Sequence, residues 1–321
     1  MRSNKVNNQD LFTSAANEHF TKHAKTHSQS TLTLLDQRIN WEGLLSPLEK
    51  ALGKDRPQSG LGRKPFSLLT IVKCFILQYM YNLSDPKIEY EILDRRSFQI
   101  FLDINTGDSI PDETTICRYR EKFARLGLDK MLFENFNKQL KRKNMILERV
   151  TIVDATIIDA QATPSSGKDQ DAGFTKKLGK LYYGYKGHIG IDAGTGVIHS
   201  LEFTSATPHD SQLIESLITG NEQSVYGDKG YSDCADKVEQ KGITSNILRK
   251  AYRNRPLTKE QVGKNKQLSR IRNRVERPFA YMKRVLKYNI CSYYDLARNR
   301  VQFVFCSLLY NMRRLLVLST S

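Results

Sequence analysis

Residues 150–158 read Val150-Thr151-Ile152-Val153-Asp154-Ala155-Thr156-Ile157-Ile158. The run is β-branched and continuous, as a strand buried in the middle of a sheet must be. One acid breaks it. A carboxylate in such a strand is costly unless it is paired or put to use, so Asp154 is either held by a buried arginine or works as a ligand. Asp159 lies five residues on and faces the other way at the two-residue period of a strand. The stretch also marks a change of texture: helical periodicity precedes Arg149, and strand-like segments follow it.

Downstream, residues 163–180 are polar and Gly-rich and read as a loop. Tyr183–Asp192 and Val197–Thr204 read as strands around the hairpin turn Ala193-Gly194-Thr195-Gly196. Asp210 would cap a helix reaching Ile218. Ser224–Asp228 is a short strand, Tyr231–Gln240 a helix and Asn246–Arg249 another strand. A long helical pattern starts near Leu257, turns at Asn289–Tyr294, and gives way to a last helix over Leu296–Val317. Three strands followed by alternating helices and strands predict an α/β unit, a mixed sheet with flanking helices. That is also the element order of the ribonuclease-H-like fold. Residues 149–321 would form it.

Upstream, residues 30–148 read as an all-helical domain. Phe66, Leu69, Val72, Lys73, Ile76 and Met80 recur at three- and four-residue steps. Ser84-Asp85-Pro86 starts a further helix. So does Ser109-Ile110-Pro111-Asp112, with Ser109 as cap and Asp112 answering from the first turn. The helix that follows carries Arg118, Arg120, Lys122 and Arg125. It suits either a DNA groove or a solvated face. Residues 1–29 are polar and predict a flexible arm. His19, His23 and His27 would line one side of a helix, yet no cysteine or other strong ligand lies nearby to complete a zinc site. Trp41 reads as core.

The 321 residues suffice for two domains, and 39% of them are apolar. A formal net charge of +16 and a pI near 9.6 call for a polyanionic partner. The most apolar stretch, residues 66–83, is interrupted by Lys73 and Gln78 and reads as a buried helix, not a membrane span. Met1–Asp10 lacks the apolar region of a signal peptide. The five cysteines, Cys74, Cys117, Cys234, Cys291 and Cys306, form no CxxC pair, so neither a zinc ribbon nor a disulfide framework is expected. A reducing, cytoplasmic setting fits.

If the polyanion is DNA and is cut, the chemistry needs an activated oxygen nucleophile and a stabilised leaving oxygen, which two Mg²⁺ ions supply. Mg²⁺ takes hard oxygen ligands. Asp154 is the first carboxylate candidate. Asp228 is the second, at the carboxyl end of Ser224–Gly227, where α/β sheets place ligands; alone it would read as a turn residue. The third is Glu276. Residues 249–287 hold 14 Lys and Arg but only two acids, Glu260 and Glu276. At ~100° per residue, Arg272, Glu276 and Lys283 fall within about 40° of one another, a carboxylate between two phosphate-binding cations. Pro278 would kink this helix. Arg270, Arg274, Arg277 and Arg284 spread around other faces and suit DNA backbone. His209-Asp210 reads as a turn and cap close to the site. Tyr182, Tyr183 and Tyr185 suit sheet core better than base stacking.

Together, Val153-Asp154-Ala155-Thr156, Tyr226-Gly227-Asp228-Lys229-Gly230-Tyr231 and Arg272-x3-Glu276-x6-Lys283 resemble the DDE transposases of bacterial insertion sequences. The match is to the insertion sequence five group within the insertion-sequence-four-like set. Gly62-Arg63-Lys64-Pro65, Leu83-Ser84-Asp85, Arg96-Ser97-Phe98 and Pro111-Asp112-Glu113-Thr114-Thr115 resemble that group's N-terminal domain. The resemblance spans about residues 38–317. It implies a ribonuclease-H-like catalytic domain with Asp154, Asp228 and Glu276 as ligands of two Mg²⁺ or Mn²⁺ ions. It implies cleavage at terminal inverted repeats, joining of the 3′ ends to target double-stranded DNA, and a homodimer that pairs two ends in a bacterial nucleoid. It also implies DNA contacts by Arg272 and Lys283. Where the family signature often has Tyr, this chain has Ser269, a polar residue about 60° from Arg272 on the wheel. No insertion domain fits between Asp228 and Glu276. Two rivals remain: a nuclease of the same fold that does not join strands, and an inactive DNA-binding regulator.

Overall fold

Three helices of the N-terminal half start in the same way. Ser30, Ser67 and Asp112 each accept the backbone amide three residues on, from Thr33 at 3.2 Å, Thr70 at 3.0 Å and Thr115 at 2.6 Å. Asp112 thus caps the helix expected to start at Ser109. Its carboxylate also takes the Thr114 hydroxyl, and Ser109, three residues earlier, is exposed. The computed structural model describes residues 30–54, 65–105, 107–177, 179–253 and 255–319. The expected arm, its three histidines and Gly62-Arg63-Lys64 lie outside them. The helices are α1 Thr31–Arg38, α2 Trp41–Lys54, α3 Leu68–Met80, α4 Asp85–Asp94, α5 Arg96–Leu102, α6 Glu113–Leu126 and α7 Leu128–Arg142. Trp41 packs edge-on to Phe101 at the margin of their core.

The sheet follows as β1 Val150–Asp159, β2 Gly173–Lys177, β3 Lys180–Asp192, β4 Ile198–Ser205, β5 Ser224–Gly227 and β6 Thr244–Ile247. It is mixed. β3 runs antiparallel to β1, β2 and β4, whereas β1, β5 and β6 are mutually parallel along the order β2-β3-β1-β5-β6. β2 falls inside the stretch expected to be loop. Phe174 is its one large apolar residue, too little for an apolar alternation, so only pairing with β3 reveals it.

Beyond β4, His209, not Asp210, caps a short 3₁₀ turn, Asp210–Leu213, which leads into α8, Ile214–Leu217. Another 3₁₀ turn, Lys229–Cys234, precedes α9, Ala235–Gln240. Thr258 and Gln261 form a capping box that opens α10, Lys259–Arg272. The expected kink at Pro278 takes a definite form. A 3₁₀ turn, Asn273–Val275, separates α10 from α11, Glu276–Ala280, and a π turn follows over Tyr281–Val285. Proline cannot donate to the carbonyl four residues back, which loosens the turn before it.

The last helix, α12, Leu296–Leu318, is alone among the described residues in being long and apolar enough to cross a bilayer, but it is mostly buried as a core helix. It lies on the sheet at Gly187, where an added Cβ would stand 2.3 Å from the Phe303 ring. Its other side meets α3, α6 and α7, so one apolar core runs from Leu32 to Leu315 through both halves of the chain. A second, smaller core of Val153, Val225, Tyr231, Cys234 and Val238 covers the opposite face of β1 and β5. All five cysteines are free thiols.

Candidate active site

β1 is buried on both faces, and its alternate residues meet different cores. Ile152 and Ile158 join the large core and Val153 the small one. Asp154 therefore projects on the face of Ile152 and Ile158. β5 pairs with β1 only as far as Ile152↔Tyr226. The chain beyond it, at Asp228, is thus free to turn beside Asp154. The Asp154 carboxylate is 8% exposed as a residue. Its Oδ1 accepts the Ala155 amide at 2.9 Å, and its Oδ2 accepts Arg272 Nη2 at 2.5 Å. Of the two readings of a buried acid in this strand, the structure shows the first: Asp154 is held by an arginine. Burial raises its pKa and Asp228 adds to that; Arg272 opposes them, and the outcome is about 6.

Asp228 caps the 3₁₀ turn after β5, its Oδ1 accepting the Gly230 amide at 2.8 Å. Glu276 is 62% exposed and accepts Arg272 Nη1 at 3.2 Å. The Arg272–Glu276 pairing expected from the helix wheel therefore survives the break in the helix, because the pair straddles the 3₁₀ turn at a four-residue step. Arg272 stands between Asp154 and Glu276. Burial disfavours its charge, but Asp154 outweighs that and raises its pKa. Its Nε is buried without a partner. Among the described residues, no three Asp, Glu, His or Cys side chains converge closely enough to hold a metal as they stand. The donor chemistry nonetheless fits a hard divalent cation, since every candidate is a carboxylate and the single cation Arg272 is shared between Asp154 and Glu276.

Behind these acids lies a polar layer that was only partly legible in the sequence. The Tyr231 hydroxyl is buried without a hydrogen-bond partner. Burial raises its pKa well above the usual tyrosine value, and Asp210, Asp154 and Asp228 raise it further. Four acidic or phenolic groups thus share one neighbourhood. Asp210 Oδ1 lies 2.9 Å from Lys186 Nζ, at an angle that makes an ion pair but no hydrogen bond; Nζ donates instead to Pro208 O at 2.8 Å. His188 is fully buried next to this pair. Burial lowers its pKa, Lys186 adds to that against Asp210, and the value is about 4. Lys186 and His188 were not singled out from sequence. The available signal was two polar residues at a strand period of two, inside a segment otherwise read as buried.

Other expected residues go elsewhere. Arg120, expected to contact DNA, lies away from the surface. It is fully buried and donates to Asp85, Gln78 and the Tyr79 hydroxyl. Arg118, two positions away and exposed, donates to Thr114 of its own helix. Ser269 is turned back along its own helix. Its hydroxyl returns to the Asn265 carbonyl at 2.8 Å. Lys283 donates to Ile157 O at 2.8 Å, along β1 from Asp154. Arg274 donates to Ala193 O, while Arg277 and Lys229 are exposed. His209 is exposed and bonded to Ser211. Tyr185 is core, and Tyr183 donates to the Asp169 carbonyl.

No solved structure matches the chain. Residues 20–122 match the family described as "Transposase domain (DUF772)", and residues 146–312 match the family described as "Transposase DDE domain". The second match runs from just before β1 to well inside α12, taking in Asp154, Asp228, Arg272 and Glu276. With more than half of its residues matched there, the chain belongs to the DDE transposases, a family that acts on DNA.

Proposed function

We propose that this transposase cuts DNA at the terminal inverted repeats of an insertion sequence and joins the freed 3′ ends to target DNA. The observation that carries this reading is the Arg272 bridge, which joins Glu276, four residues along, to Asp154, 118 residues before Arg272 in the chain, with Asp228 as neighbour to both Asp154 and Arg272. Asp154, Asp228 and Glu276 would hold two Mg²⁺ or Mn²⁺ ions. Bound there, the ions would activate the attacking oxygen and stabilise the leaving one. Arg272, already balanced between two carboxylates, would turn one side of its guanidinium to the phosphate. Lys283 and the exposed cations Lys229, Arg270, Arg277 and Arg284 would hold the backbone on either side. Tyr231, Asp210 and Lys186 would set the field behind the acids. Residues 30–148 are assigned DNA binding and residues 149–321 catalysis, with α12 belonging to the core of both. The ribonuclease-H-like fold, the insertion sequence five group, a homodimer pairing two ends, and action at the bacterial nucleoid belong to the same reading.

The test uses a duplex built from the DNA that flanks the gene, incubated with Mg²⁺ and a second, unrelated duplex. Cleavage and joined product are both expected. Asp228→Asn should lower cleavage by about a thousandfold or more, an effect on the scale of lost charge stabilisation in a transition state, and bind the duplex as wild type does. Cleavage without joining would favour a nuclease. Cleavage by Asp228→Asn at the wild-type rate would remove Asp228 from the centre. Binding with no cleavage by wild type would favour a regulator.

A further inference from the structure

β1 stops at Asp159, opposite Gly184. β3 begins earlier, and its residues 180–182 pair only with β2 among the described residues. The sheet therefore narrows here to a two-stranded ribbon, with Phe174 opposite Tyr183, Thr175 opposite Tyr182, Lys176 opposite Leu181 and Lys177 opposite Lys180. Paired residues share a face. One face carries Phe174, Lys176, Leu181 and Tyr183, and the other carries Thr175, Lys177, Lys180 and Tyr182. No acid occurs from Ala172 to Ile191.

The base of the ribbon is fixed. Tyr183 donates to Asp169 O at 2.5 Å, and the Ala160 amide donates to Tyr183 O at 3.0 Å. At Gly184 the strands cross so closely that a Cβ would stand 2.3 Å from the Ile158 carbonyl. Beyond that anchor the side chains meet water. Phe174 is 50% exposed and Leu181 62% exposed. Lysines alone would suit an edge protected against association. Large apolar side chains between them do not, and a two-stranded ribbon without a core of its own is marginal in water. A polyanion with some apolar surface satisfies both features. A second copy of the ribbon would bring lysines against lysines.

Its position suits the same partner. β1 and β5 are parallel, so Asp159 and Asp228 lie toward one end of the sheet. Asp159 is five residues past Asp154, about 17 Å at the strand rise, and the ribbon adds about 13 Å. Lys283, bonded to Ile157 O, is an electrostatic neighbour of Lys177. A row of cations thus leads from Arg272 through Lys283 to the ribbon.

Resting on the reading that duplex DNA reacts at Asp154, we propose that the β2–β3 ribbon is a DNA-binding arm that enters the major groove roughly five to nine base pairs from the reacting bond. A two-stranded ribbon fits that groove, and the distance follows from about 3.4 Å of duplex per base pair. Phe174 and Leu181 meet sugar or thymine-methyl surface, and Lys176, Lys177 and Lys180 meet phosphates.

The experiment measures the affinity of the full chain for a fluorescent duplex of random sequence, about four helical turns long, as a function of KCl. Replacing all three lysines (K176Q/K177Q/K180Q) should flatten the slope of log affinity against log salt by about 2–3, at roughly 0.9 per lost phosphate contact. Lys180→Gln alone, the milder change, should flatten it by about 0.9. F174A/L181A should weaken binding several-fold at an unchanged slope. A wild-type slope in both lysine variants would overturn the proposal. So would F174A/L181A turning a dimer into a monomer in sedimentation while leaving DNA affinity intact, since the ribbon would then be a protein contact. Asp228→Asn, which spares the ribbon, separates this inference from the proposed function. If wild type and Asp228→Asn bind with the full slope but wild type fails to cleave, the proposed function falls and the arm stands.

Discussion

Two arginine–carboxylate pairs, Arg120 with Asp85 and Arg272 with Asp154, look alike by distance and differ in everything around them. Arg120 is fully buried. Its guanidinium makes two bonds to Asp85, one each to Gln78 and Tyr79, and lies over the Tyr293 ring at 4.5 Å. Burial disfavours its charge, and its tyrosine and Asp85 partners more than restore it, so its pKa is raised. Arg272 has comparable bonds to Asp154 and Glu276, yet its Nε is an orphan, the nearby Tyr231 hydroxyl is another, and Asp154 is pushed up to about 6. A pair whose task is to hold helices together is saturated. A pair kept short of partners retains capacity for a substrate, and perturbed carboxylates cluster at such sites.

The largest expected effect tests that contrast directly. Arg120→Met leaves the half-buried Asp85 without its cation, though with the Gln78 amide, and should cost about 3 kcal/mol, the lower end for breaking a buried pair, read from urea midpoints. Cleavage per folded molecule should be unchanged. Asp154→Asn should abolish cleavage but shift stability by only about 1 kcal/mol in either direction, because relief of a poorly solvated anion offsets the weaker hold on Arg272, which keeps Glu276. If Asp154→Asn unfolds the protein as badly as Arg120→Met, the two pairs are both structural and the contrast fails.

Next in size is the response to acid. His188 has its pKa depressed to about 4, and buried His199 is depressed as well. Between pH 6.5 and 4 the unfolded chain takes up protons that these native histidines refuse, so stability falls as the pH falls. His188 alone accounts for roughly 2 kcal/mol at pH 5. Asp154 works in the opposite direction. Its folded pKa is raised, so its contribution is present at low pH and is lost as the pH rises through about 6. In urea titrations without divalent ions, Asp154→Asn should therefore lose about 1 kcal/mol more than wild type between pH 7 and pH 5. Equal losses would show that Asp154 is an ordinary carboxylate.

The sequence carried the site further than it carried the fold around it. The apolar run at 150–158 identified β1 and its acid because a buried strand tolerates no idle carboxylate. The four-residue step from Arg272 to Glu276 held because it depends on one helical turn. The step to Lys283 crosses a 3₁₀ turn and a π turn that no wheel includes, and Lys283 ends on a β1 carbonyl. The burial of Arg120 was not legible because two other cations of its helix, Arg118 and Arg125, are exposed, whereas its own partners, Gln78, Asp85 and Tyr293, come from three other segments. β2 was not legible for the same reason, since one phenylalanine among short and charged residues becomes a strand only through β3. Periodicity records which face is buried, not what that face meets.

The smallest effect concerns Ser269, and it separates a helix residue from a site residue on the same turn of α10. The wheel places Ser269 about 60° from Arg272, near enough to share a substrate contact. Its hydroxyl instead bonds the Asn265 carbonyl four residues back. Such back-bonding contributes little and slightly disfavours the helix. Ser269→Ala should thus change stability by less than about 0.5 kcal/mol, the range of substitutions away from special features, and leave the cleavage rate within twofold. A tenfold loss, about 1.4 kcal/mol of barrier, would mean that Ser269 leaves its carbonyl when DNA binds. The under-partnered region would then extend one helical turn beyond Arg272, and the boundary between the saturated and unsaturated halves of the molecule would have to be redrawn through α10.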